Sequence, residues 1–145
     1  MNQLNLKAVI RRKRKRYKPC TPQTIAENEL NREFQEREAN KKWLTDVTEF
    51  QLENGSKIYL SAIYDLGKGK IVSHYLGNSN NNQLVFKTFD KAVKTVTSTE
   101  GIIFHSDRGF QYTSRLFKNK LNHHKMIQSM SRVGKCIDNG PMEGV

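Results

Sequence analysis

Between residues 43 and 76 the chain writes one pattern three times: WLTDVTEFQL (43–52), KIYLSAIYDL (57–66) and KIVSHYL (70–76). Each is rich in aromatic and β-branched residues and reads as a strand. Asn54-Gly55 separates the first two runs and Gly67-Lys68-Gly69 the second and third, both strong turn signals. The three runs predict an antiparallel meander. The period then changes. Leu84, Val85, Phe89, Ala92, Val93 and Val96 follow helical spacing, and Gly101 ends that segment. Ile102-Ile103-Phe104 is a short buried-strand run closed by His105-Ser106-Asp107. Thr113 or Ser114 can cap a second helix bearing Leu116, Phe117 and Leu121, and residues 126–129 read as a fifth strand. The remainder, SRVGKCIDNGPMEGV, is rich in turns, with Pro141 suited to a first helical position.

The order β-β-β-α-β-α-β, followed by the start of a helix, restricts the topology. A parallel neighbour needs a crossover, and crossovers are right-handed. One natural solution lays the fourth strand parallel beside the first. This gives an α/β fold, a mixed five-stranded sheet with flanking helices, which is the ribonuclease-H-like architecture. The helix expected at the C-terminus is incomplete.

With 145 residues the chain has room for one domain, and 36% apolar residues suffice for a small core. No apolar run approaches the roughly 18 residues of a membrane span. The N-terminal stretch MNQLNLKAVI lacks the charge order of a signal peptide. Cys20 and Cys136 are too few for a disulfide framework or a structural zinc site, so a reducing cytoplasm is expected. The net charge is +11, but residues 1–18 hold eight of the 25 basic residues and no acid. The other 127 residues carry 17 bases against 14 acids. The block Arg11, Arg12, Lys13, Arg14, Lys15, Arg16 suits a polyanion, nucleic acid first, although a solvated tail has the same composition. Residues 19–40 are polar, stopped by Pro19 and Pro22, and read as a linker with helix in places. The folded core is expected from about Trp43, within residues 41–145.

Three acids stand out. Asp46 lies mid-strand on the face of Leu44, Thr48 and Phe50, where a carboxylate is costly unless the face is solvated. Asp107 ends an apolar run, where a turn role is equally natural. Glu143 follows Pro141 in a first helical turn, which favours acids anyway. If the first and fourth strands are neighbours, Asp46 and Asp107 come side by side, and a helix packed on the sheet could deliver Glu143. Clustered carboxylates call for a cation, and hard oxygen ligands suit Mg²⁺, with Mn²⁺ as a substitute.

Here the residues carry a resemblance. Trp43-Leu44-Thr45-Asp46-Val47-Thr48-Glu49-Phe50 resembles the first active-site strand of bacterial insertion-sequence transposases with a retroviral-integrase-type core. His105-Ser106-Asp107-Arg108-Gly109, with Gln111-Tyr112-Thr113-Ser114, resembles their second acidic motif. Gln128-Ser129-Met130-Ser131-Arg132 and Asp138-Asn139-Gly140-Pro141-Met142-Glu143 resemble the third. The 35 residues between Asp107 and Glu143 match the family's Asp-Asp-Glu spacing. The group most similar is named for insertion sequence three, in its downstream reading-frame product.

The resemblance implies Mg²⁺-dependent DNA cleavage and strand transfer by a triad of Asp46, Asp107 and Glu143, which are both the metal ligands and the catalytic acids. It implies transposon ends and target DNA as partners, with a second copy or an intact transposase in the assembly, and no membrane. Arg108, Arg132 and Lys135 flank the acidic motifs and could contact phosphate; an ordinary solvated surface is the alternative. His105 reads as a strand-end histidine with a structural partner. Against the family pattern, LNLKAVIRRKRKRY looks like the remnant of a helix-turn-helix region, and only Gly144 and Val145 follow the third acid. The expectation is a core truncated at both ends. Its rivals are a catalytically dead DNA-binding remnant and a ribonuclease-H-like nuclease. If residues 7–18 supply the DNA affinity by neutralising about six phosphates, log K falls against log salt with a slope of about −5. Filter binding from low to moderate salt, with and without residues 1–18, checks this: deletion should flatten the slope.

Overall fold

A computed structural model describes residues 25–30 and 34–132. Its elements in chain order are β1 (Lys42–Gln51), β2 (Lys57–Asp65), β3 (Lys70–Gly77), α1 (Asn82–Val93), β4 (Ile103–Ser106), α2 (Arg115–His123) and β5 (Ile127–Met130). They form one mixed sheet in the order β3-β2-β1-β4-β5. The meander β1-β2-β3 is antiparallel, whereas β4 runs parallel to both β1 and β5. The order β-β-β-α-β-α-β and the pairing expected from sequence are both present; the helix expected to begin near Pro141 lies outside the described residues. No helix among the described residues is long and apolar enough to cross a membrane.

Local chemistry accounts for the boundaries. Gly55 N–H donates to Leu52 O at 2.9 Å, and Gly55 takes φ +82°. Asn54 is not left-handed, so this loop is longer than the two-residue turn usual for Asn-Gly. Asn81 caps α1 by accepting the Leu84 N–H at 3.0 Å. Ser114, not Thr113, caps α2, accepting the Phe117 N–H at 3.2 Å.

The helices bury one stripe each against the same face of the sheet. Val85, Phe89 and Ala92 of α1 and Phe117 and Leu121 of α2 share one core cluster with Trp43, Ile63, Phe104 and Met130 of the strands. Phe117 is the hub: its ring lies 5.5 Å from those of Phe89, Phe104 and Tyr112. Burying a side chain of this size contributes roughly 1.5–3 kcal/mol. Because side chains alternate along a strand, Trp43, Thr45 and Val47 face this core and Leu44 and Asp46 face the other way.

The polar segment before β1 is more closely tied to the sheet than its composition implies. Residues 25–30 follow the outer edge of β5, where Met130 N–H donates to Glu27 O at 3.2 Å, and Leu30 is fully buried. Such an edge is otherwise open to strand pairing. None of residues 25–30 or 34–40 is helical, against the expectation of helix in places. A docked segment of this kind needs one apolar anchor and a few backbone bonds, which composition averaged over many residues does not register. A second anchor is the buried Asp65. Its two oxygens accept Asn40 N–H at 2.8 Å and Gly67 N–H at 3.0 Å. Gly67 is required there, because a Cβ would overlap the Glu38 carbonyl. Gly67→Ala should therefore lower the urea midpoint by the equivalent of about 1–3 kcal/mol, since backbone must move. Gly55→Ala, at a left-handed site with open space around it, should cost only about 1 kcal/mol.

Candidate catalytic site

The pairing of β1 with β4 sets the geometry. Lys42, Trp43 and Leu44 pair with Ile103, Phe104 and His105. Continuing that register by two residues sets Asp46 opposite Asp107. Asp46, two residues on from Leu44 within β1, projects from the face opposite the helices, and the same alternation carried one residue past the end of β4 assigns Asp107 to that side. Asp46 is half-buried and Asp107, one residue past the end of β4, is exposed.

Backbone donors orient both carboxylates. Asp46 Oδ1 accepts its neighbour Val47 N–H at 2.9 Å, and Asp107 Oδ1 accepts Gly109 N–H at 2.9 Å. The Asp107 bond is the turn role weighed from sequence, and it leaves a metal role open. Gly109 sits close: a Cβ there would lie 3.0 Å from Asp107 Oδ1 and 2.9 Å from Gln111 Oε1. The next residues turn back into the protein. Gln111, Tyr112 and Thr113 are all buried. Gln111 bonds Asn80, and Gln128 Nε2 donates to Tyr112 O at 2.8 Å.

Tyr112 links the two acid-bearing segments. Thr45 Oγ1 donates to Ala62 O at 2.9 Å, so the Tyr112 hydroxyl, 3.1 Å away, donates to Thr45 Oγ1. The chain just after Asp107 is thus pinned to the residue just before Asp46. Burial pushes the Tyr112 pKa well above its ordinary value, and the nearby charges of Asp107 and Asp46 push it in the same direction. This residue was legible only as part of the second motif; nothing in its spacing marks it as a tether.

His105 is fully buried, with Nδ1 2.8 Å from Ser129 Oγ and Nε2 3.2 Å from Ser131 Oγ. It is the strand-end histidine with structural partners that its position suggested. Arg108 is half-buried and its Nε donates to Ser131 O at 2.8 Å, a structural tie that the sequence did not reveal. Arg132 is exposed. Arg11, Arg12, Lys13, Arg14, Lys15, Arg16, Lys135 and Glu143 lie outside the described residues. Among the described residues no three His, Cys, Asp or Glu side chains form a metal-sized cluster; the β1–β4 pairing carries the segments bearing Asp46 and Asp107 on neighbouring strands.

A mixed five-stranded sheet in this order, flanked by helices, defines the ribonuclease-H-like class of α/β protein. Within it, the chain belongs to the integrase core domain family, whose model matches residues 36–136. Among curated relatives, it is 42% identical to the InsK transposase of insertion sequence element IS150 from Escherichia coli K12, over 99% of this chain and 50% of that protein. It is 29% identical to the InsF transposase of insertion sequence IS3A from the same organism, over 82% of this chain and 41% of that protein. The chain spans about half the length of these relatives. Among solved structures, the HTLV-2 integrase catalytic core domain in complex with magnesium aligns with TM-score 0.59 and 18% identity, covering 72% of this chain and 63% of that one. A chain of the simian T-cell lymphotropic virus intasome aligns with TM-score 0.68 and 16% identity, covering 83% and 41%. At these identities the likeness is one of fold.

The Tyr112 environment makes a pH prediction. Its folded pKa is raised above the unfolded value of about 10, so its contribution is complete below that pH and is lost as pH rises beyond it. Urea midpoints from pH 8 to 11 should fall steeply above about pH 10 in the native chain. Tyr112→Phe should cost about 1 kcal/mol at neutral pH, through the lost bond to Thr45, and should lessen the alkaline slope.

Proposed function

We propose that this chain is the catalytic core of an insertion-sequence transposase that cleaves DNA and joins strands with the help of Mg²⁺, or Mn²⁺ in its place. The observation that supports this reading is the parallel pairing of β1 with β4, whose register, carried on two residues from Leu44 and His105, leads to Asp46 and Asp107. Family membership and the transposase relatives support it. Glu143 is the third ligand by motif and spacing, and its place in the site rests on the resemblance.

The donor set fits a hard divalent cation. Both acids are carboxylates, each oriented by a backbone N–H, and the imidazole of nearby His105 is engaged by Ser129 and Ser131. Bound divalent metal supplies activation of the attacking oxygen and stabilisation of the leaving one. The protein's part is positional. Gly109 N–H and the Tyr112–Thr45 bond hold the two acid-bearing segments in fixed relation, and small positional errors erode such rates steeply. Water is the nucleophile for nicking and a DNA 3′-hydroxyl the nucleophile for joining, so no covalent enzyme intermediate is needed. Arg108, Arg132 and Lys135 are candidates for phosphate contacts, and Arg11 to Arg16 for the electrostatic grip on DNA. Transposon ends and target DNA are the substrates, assembled by an oligomer in the reducing cytoplasm.

The test is nicking of DNA carrying the element's ends. Activity should require Mg²⁺ or Mn²⁺, and Asp46→Asn, Asp107→Asn and Glu143→Gln should each reduce it by at least about a hundredfold while leaving DNA binding intact. Metal-dependent nicking that survives all three substitutions would defeat the assignment. Absent nicking with retained, arm-dependent binding would identify a DNA-binding piece instead. Equal cutting of DNA lacking the ends would favour a general nuclease.

A further inference from the structure

Asp107 stands between two residues tied to the same partner. Ser106 O accepts from Ser131 N at 2.9 Å and from Ser131 Oγ at 3.4 Å, while Arg108 Nε donates to Ser131 O at 2.8 Å. Ser131 thus clamps the chain on both sides of the acid. The clamp is itself held from within. His105 Nε2 lies 3.2 Å from Ser131 Oγ, and Nδ1 lies 2.8 Å from Ser129 Oγ. Ser129 Oγ also accepts the Leu30 N–H at 3.0 Å, from the segment along the β5 edge. His105 and Ser129 are fully buried and Ser131 nearly so.

One set of directions satisfies every member. With the Ser131 hydroxyl proton assigned to Ser106 O, Ser131 Oγ accepts from His105 Nε2–H. Nδ1 then bears the lone pair and accepts from Ser129 O–H. Ser129 Oγ is already polarised by the Leu30 N–H, which makes its O–H a better donor. One buried chain of hydrogen bonds therefore runs from Leu30 N–H through Ser129, His105 and Ser131 to the backbone on both sides of Asp107. A half-satisfied chain of this kind is costly in a low dielectric, so its members move together.

We propose that Ser129, His105 and Ser131 are positioning residues for Asp107, coupling docking of the 25–30 segment on the sheet edge to the placement of that carboxylate for a divalent cation. The proposal rests on the acid-site reading given above. Groups of this kind fix the ligand rather than touch the cation, and their loss typically weakens metal binding while the fold survives.

The experiment uses the whole chain, ¹⁵N-labelled. Long-range ¹H–¹⁵N spectra of the native protein should show His105 as the Nε2–H tautomer; the Nδ1–H form would overturn the relay without any variant. Mn²⁺ titrations, read by paramagnetic broadening of the Gly109 amide, measure binding without requiring activity. Ser131→Ala should weaken Mn²⁺ binding about tenfold, Ser129→Ala should weaken it less, and Ser131→Thr, which keeps the hydroxyl, should restore it. Melting temperatures identify variants that have lost the fold. Binding that Asp107→Asn abolishes but a folded Ser131→Ala leaves unchanged would overturn this proposal alone. Broadening that both Asp46→Asn and Asp107→Asn leave unchanged would overturn the acid-site reading and this proposal with it.

Discussion

The parallel pairing of β1 with β4 is the contact on which the rest of the molecule depends. It joins residues about 60 positions apart with no turn to enforce it. What holds it is the layer beneath. Trp43 and Phe104, paired across the two strands, drop into the same cluster as Phe89, Phe117 and Tyr112. The aromatic hub at Phe117 thus fixes the register, and the register fixes which side chains share the opposite face. A slip of one residue would turn either Asp46 or Asp107 into the core.

The two faces of the sheet divide the work. The helix-covered face supplies cohesion through close-packed rings with little polar content. The other face carries Asp46 and the buried His105–Ser129–Ser131 chain, which leads to the backbone on either side of Asp107. Tyr112 spans the division: its ring packs against Phe117 and its hydroxyl reaches Thr45. Core packing is in this way transmitted to the spacing of the two acid-bearing segments. The same logic explains the buried Asp65, which spends its carboxylate on two backbone N–H groups and ties the entering chain to the β2–β3 turn.

The legible part of the site was its chemistry, and the hidden part its support. Asp46 and Asp107 stand out because a strand disfavours a carboxylate and because long motifs surround them. His105 was readable as a residue with partners, but the partners were not, since Ser129 and Ser131 lie 24 and 26 residues away. Arg108 was readable as a phosphate contact or as solvated surface beside an acidic motif, but the bond from its Nε to Ser131 O, 23 residues away, was not. Leu30 was submerged in a polar segment, and only the uncovered edge of β5 gives it a place.

By itself the sequence determined the elements and their order. Period two changed to helical period where α1 begins, Asn81 and Ser114 capped their helices by local bonds, and glycines at 55 and 69 took left-handed turns. These depend on neighbours within a few residues, which is why they can be read along a line. Only the tertiary structure decided which buried polar groups satisfy one another: Tyr112 with Thr45, Asp65 with Asn40 and Gly67, His105 with Ser129 of β5 and Ser131 just beyond it. Each such pair removes a desolvation penalty that arises only once the strands are packed, so its partner is chosen by proximity in space and leaves no spacing in the chain.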